Sequence, residues 1–90
     1  MRPLSFDLCS YPGLLDPGVR VQITLPQGTW TSVVVFNQFG EEVSTLLEGE
    51  YLQPGTYTFP VKGAELPSGS YSVRVLTAMG AKVTRIAVVR

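Results

Sequence analysis

Leu66-Pro67-Ser68-Gly69-Ser70-Tyr71-Ser72-Val73-Arg74-Val75-Leu76 is the stretch whose reading decides the fold. Pro67 presets φ for a turn, and Gly69 permits a backbone conformation that other residues resist. Tyr71, Val73 and Val75 then alternate with Ser70, Ser72 and Arg74. That period of two predicts a half-buried strand over 71–76.

Working outward, the same punctuation recurs. Downstream, Ala78-Met79-Gly80 predicts a hairpin turn, and residues 82–89 a last strand. Upstream, residues 63–69 form the connection, with at most one helical turn at 64–66. Residues 56–61 read as a strand with Tyr57, Phe59 and Val61 on one face. Pro60 cannot donate to a ladder, which places that strand at a sheet edge. Glu48-Gly49-Glu50 and Pro54-Gly55 read as a loop. Residues 42–47 read as a shorter strand anchored by Val43 and Leu47.

Residues 30–37 are β-branched and aromatic, hence a strand. Its two faces are Thr31, Val33, Val35 and Trp30, Ser32, Val34, Phe36. Both carry apolar groups, which a half-exposed strand does not need. Val19–Leu25 alternates cleanly, with Val19, Val21, Ile23 and Leu25 inward and Arg20, Gln22 and Thr24 outward. Tyr11-Pro12-Gly13 and Asp16-Pro17-Gly18 bracket a turn-rich loop, and residues 4–9 read as a first strand with Leu4, Phe6 and Leu8 together. Turn signals every 8–12 residues without helical periodicity predict one all-β domain over residues 1–90, an immunoglobulin-like antiparallel β-sandwich of about seven strands.

Several of these segments together resemble a known family. They are Val21-Gln22-Ile23-Thr24-Leu25-Pro26, Val35-Phe36-Asn37 with Gly40 and Val43, Pro54-Gly55-Thr56-Tyr57, the Leu66–Tyr71 run and Thr84-Arg85-Ile86-Ala87-Val88. They resemble the immunoglobulin-like domain of the flagellar hook-cap scaffold protein and of the C-terminal sorting domains of type IX secretion, over residues 11–90. The resemblance implies a non-catalytic role, read by export machinery or packed against neighbours. Two stretches depart from that family's pattern. Gly13-Leu14-Leu15 follows Tyr11-Pro12, and Val61-Lys62-Gly63 stands where the family has Trp-Asp-Gly.

Composition narrows the function classes. Seven lysines and arginines balance seven aspartates and glutamates. A nucleic-acid binder carries a basic surplus, because phosphate contacts supply most of its affinity. The chain has no histidine, which removes Ser–His and Cys–His pairs. One cysteine builds no structural zinc site. Cys9 reads as a small buried apolar residue, with an intermolecular disulfide or lipid attachment as alternatives. Glu41/Glu42 and Glu48/Glu50 read as solvated charges, with a weak calcium site at Glu48 and Glu50 as the alternative. No cofactor, metal or catalytic residue is expected. No apolar run approaches the ~20 residues of a membrane span. Absence of a secretory leader points to the cytoplasm or the periphery of a membrane complex, or to the cell surface if the chain derives from an exported protein.

What remains is a surface. With the third, sixth and seventh strands as neighbours, Trp30, Val34, Phe36, Leu76, Val83, Ala87 and Val89 lie on the outer face, punctuated by Arg74 and Arg85; the alternatives are that residues 1–15 fold over this face or that the strands alternate differently. Aromatic, aliphatic and arginine side chains in one patch suit the core of an interface. The expected protein-binding residues are therefore Trp30, Val34, Phe36, Arg74, Leu76, Val83, Arg85 and Val89. The expected partner is another protein or a multi-subunit complex, met face-on or by strand addition at an open edge. The alternatives are a sorting or surface-attachment domain, and a carbohydrate-binding module using Trp30, Tyr51, Tyr57 and Tyr71.

Overall fold

The computed structural model describes residues 6–12, 19–61 and 67–88. Seven strands run through them: β1 (Asp7–Pro12), β2 (Val19–Leu25), β3 (Thr29–Asn37), β4 (Glu42–Leu52), β5 (Gly55–Val61), β6 (Gly69–Thr77) and β7 (Gly80–Val88). All strand pairs are antiparallel. They form two sheets, ordered β1-β2-β5 and β4-β3-β6-β7. This is an immunoglobulin-like sandwich in which the fourth strand joins the third rather than the fifth.

The core follows from period-two alternation. Val21, Ile23 and Leu25 of β2 face Val33 and Val35 of β3, Tyr71, Val73 and Val75 of β6, and Ile86 and Val88 of β7, all buried. In antibody domains a disulfide joins the second and sixth strands beside a tryptophan of the third. Here those strands supply Val21, Ile23, Val73, Val33 and Val35 at 0% exposure. At these positions the sandwich is closed by aliphatic packing, and its tryptophan faces outward.

Two corners are built alike. Tyr71 Oη donates to the Pro67 carbonyl at 2.6 Å, and Tyr57 Oη donates to the Gln53 carbonyl at 2.8 Å. Each tyrosine reaches back four residues and follows a glycine at positive φ by two, Gly69 at +157° and Gly55 at +147°. Tyr71 lies at the start of the sixth strand, where immunoglobulin-like domains place a tyrosine corner.

Several boundaries differ from expectation. The first strand begins at Asp7 and includes Tyr11 and Pro12, which the sequence assigned to a loop; they pair with Arg20 and Val19. Cys9 is exposed. Its neighbours Phe6 and Leu8 pack on the core, so alternation turns it outward. The fourth strand runs through Glu48-Gly49-Glu50 to Leu52 instead of stopping at 47. Three register shifts against β3 absorb the extra residues. Gly49 takes φ +55°, and its N–H donates to Ser32 Oγ at 2.9 Å. Glu48 and Glu50 therefore sit in a strand, without the loop the calcium alternative needs. Leu47 packs on the core as expected, but Val43 is 40% exposed and does not anchor; Leu46 packs on the core in its place. Leu4, Leu66, the 64–66 turn, Gly13-Leu14-Leu15, Asp16-Pro17-Gly18 and Val89 lie outside the described residues.

Candidate functional site: the outer face of the four-stranded sheet

Register fixes the face. Phe36 opposes Glu42 and Ser72, and Ser72 opposes Arg85. Val34 opposes Thr45 and Arg74, and Arg74 opposes Val83. Ser32 opposes Leu76, which opposes Ala81. Directly paired residues share a face, so these three rungs cross the outside of the sheet. Trp30 opposes Tyr51 at one end, their rings meeting edge to face at 5.6 Å and 75°.

The face is apolar and wet. Trp30 is 64% exposed, Val83 59%, Tyr51 51% and Leu76 49%. Val34 and Phe36 are half-buried among their neighbours. The Arg74 guanidinium lies over the Phe36 ring, 4.9 Å from its centroid. That cation–π contact holds the arginine down on the sheet. Between Phe36, Ser70, Ser72, Arg74, Val83 and Arg85 runs an open groove of about 570 Å³.

Sequence reasoning placed Trp30, Val34, Phe36, Arg74, Leu76, Val83 and Arg85 on one face, and the structure brings them together there. Residues 7–12 do not cover this face, since β1 pairs with β2 in the other sheet. Tyr51 and the groove-lining Ser70 and Ser72 were missed. Tyr51 joins Trp30 only because β4 runs past its expected end. A side chain at Gly28 would overlap the Tyr51 phenol, so this glycine is what lets the ring lie where it does. Tyr57 and Tyr71 are spent on the corners, leaving Trp30 and Tyr51 as the exposed members of the four-aromatic sugar platform.

Three of the four edge strands, β4, β5 and β7, carry blocks to further strand pairing. β4 is bulged in three places. β5 holds Pro60. On β7, Lys82 shares the inward parity of Ile86 and Val88, and its ammonium lies 5.4 Å from the Phe6 centroid. An inward charge, a proline and bulges are the devices that discourage edge-to-edge association. The Ser10 and Thr84 hydroxyls meet at 3.5 Å, holding β1 beside β7.

Among the described residues no three cysteines, aspartates or glutamates converge as a metal would require. Glu41 accepts from Asn37 Nδ2 at 2.9 Å and Glu42 from Thr45 Oγ1 at 3.1 Å, both exposed. No protein-family model matches this chain, and no curated protein matches it.

Proposed function

We propose that this chain is a non-enzymatic protein–protein interaction module, a small accessory or structural subunit that docks through the outside of its β4-β3-β6-β7 sheet. One observation carries the reading: Trp30, Tyr51, Leu76 and Val83 are about half exposed or more on one side of a single sheet. Contiguous apolar area of that kind marks an interaction surface. Four strands of about nine residues span roughly 19 by 30 Å, on the order of 600 Å². A standard interface takes about 800 Å² from each partner, so this face supplies most of one. The blocked edges favour face-on docking over strand addition. The resemblance to non-catalytic immunoglobulin-like domains agrees with this role.

The test is capture of the native partner by the tagged chain. Leu76→Asp with Val83→Asp should release the partner while the circular dichroism spectrum and unfolding midpoint stay unchanged. Gln22→Asp with Thr58→Asp, on the opposite sheet, should keep it. Capture that survives the first pair and fails with the second would move the interface to the other side of the sandwich.

A further inference from the structure

The groove on this face has a chemistry of its own. Arg74 and Arg85 are diagonal neighbours, because Arg74 opposes Val83 while Arg85 opposes Ser72. Ladder geometry sets such residues roughly 7–8 Å apart, on the same side of the sheet. The Ser70 and Ser72 hydroxyls line the same groove, floored by Phe36. Two carboxylates border it, each already accepting a hydrogen bond: Glu41 from Asn37 at the groove's end, and Glu42, across Phe36 from Ser72, from Thr45. No described ion pair engages Arg85.

We propose that this groove is a carboxylate receptor, taking an aspartate or glutamate side chain of the docking partner. The proposal rests on the face-docking reading and names what the face recognises. A guanidinium fork matches a carboxylate with two parallel hydrogen bonds. Arg74 is already held on Phe36 at 4.9 Å, so less of its freedom is lost on binding. Ser70 and Ser72 offer hydroxyl donors on the same wall. A second copy of this chain is a poor occupant. β3 and β6 are the inner strands and carry no acid, so stacking two faces brings both Arg74 side chains to the middle uncompensated. A phosphate is also poorly served. Phosphate sites recruit free backbone amides, and those of the inner strand β6 over Tyr71–Thr77 are committed to ladders with β3 on one side and β7 on the other.

The experiment titrates the isotopically labelled full chain with an end-blocked tetraglutamate peptide and follows amide and arginine Nε–H resonances. Tetraglutamine and inorganic phosphate run as parallel arms. The expected result is shifts at Ser70, Ser72, Arg74 and Arg85 with tetraglutamate alone, weakened about tenfold or more by Arg85→Gln. Arg20→Gln, on the other sheet, should leave them in place. Shifts absent at millimolar peptide, equal with tetraglutamine, equal with phosphate, or indifferent to Arg85→Gln overturn the proposal. Partner capture separates the two levels. If Arg85→Glu retains the native partner while Leu76→Asp releases it, the receptor falls and the docking face stands.

Discussion

Replacing Tyr71 by phenylalanine removes one oxygen and leaves the packing intact. The ring stays in the core at 7% exposure, so no cavity opens. What is lost is the 2.6 Å bond to the Pro67 carbonyl, which ties the start of β6 to the connection before it. A neutral hydrogen bond is worth about 0.5–1.5 kcal/mol net. Pro67 is exposed, so its freed carbonyl reaches water and avoids the larger cost of a buried orphan. The short distance places the expected loss near the top of that range, about 1–1.5 kcal/mol. For a domain of this size that lowers Tm by about 5–10 °C. Tyr57→Phe is the internal comparison, because its bond to Gln53 is 2.8 Å and exposed. It should cost about 0.5 kcal/mol. Urea unfolding followed by circular dichroism measures both, with the denaturant slope unchanged. A Tyr71→Phe loss no larger than that of Tyr57→Phe would refute the claim that the β6 corner anchors the sandwich.

Other perturbations test the rest of the fold. Val73→Ala deletes two methyl groups at 0% exposure, and calorimetry should read a destabilisation of about 2–3 kcal/mol. Gly49→Ala meets no neighbouring atom but forces a side chain onto φ +55°. Its cost is backbone strain alone, about 1 kcal/mol in the same unfolding assay, and a neutral result would argue against the bulged path of β4. Lys82→Val removes the inward charge of β7, and light scattering should detect concentration-dependent association that the parent chain lacks.

Much of this was legible because most strands keep strict alternation. Val21, Ile23 and Leu25, and likewise Tyr71, Val73 and Val75, declare their inward face by spacing alone. β4 hid for the opposite reason. Its bulges break the period, so adjacent Leu46 and Leu47 both pack inward while Val43 does not, and Glu48-Gly49-Glu50 imitates a turn. Parity already pointed Cys9 outward, opposite Phe6 and Leu8, and burial statistics for cysteine outweighed it wrongly. The corners had a signal in Gly55-Thr56-Tyr57 and Gly69-Ser70-Tyr71, each with a proline upstream. On the face, residue choice was readable but the pairs were not. That Arg74 lies on Phe36 depends on the pairing of Val34 with Arg74, which long-range register sets and local spacing does not encode.

Hydroxyl-radical footprinting of the chain, free and within its native complex, reads the outer face most directly. Docking through the four-stranded sheet predicts that Trp30, Tyr51, Leu76 and Val83 lose reactivity in the complex while exposed Phe39, in the turn between β3 and β4, keeps it. Unchanged labelling of Trp30 and Leu76 in a complex that protects another surface would contradict it.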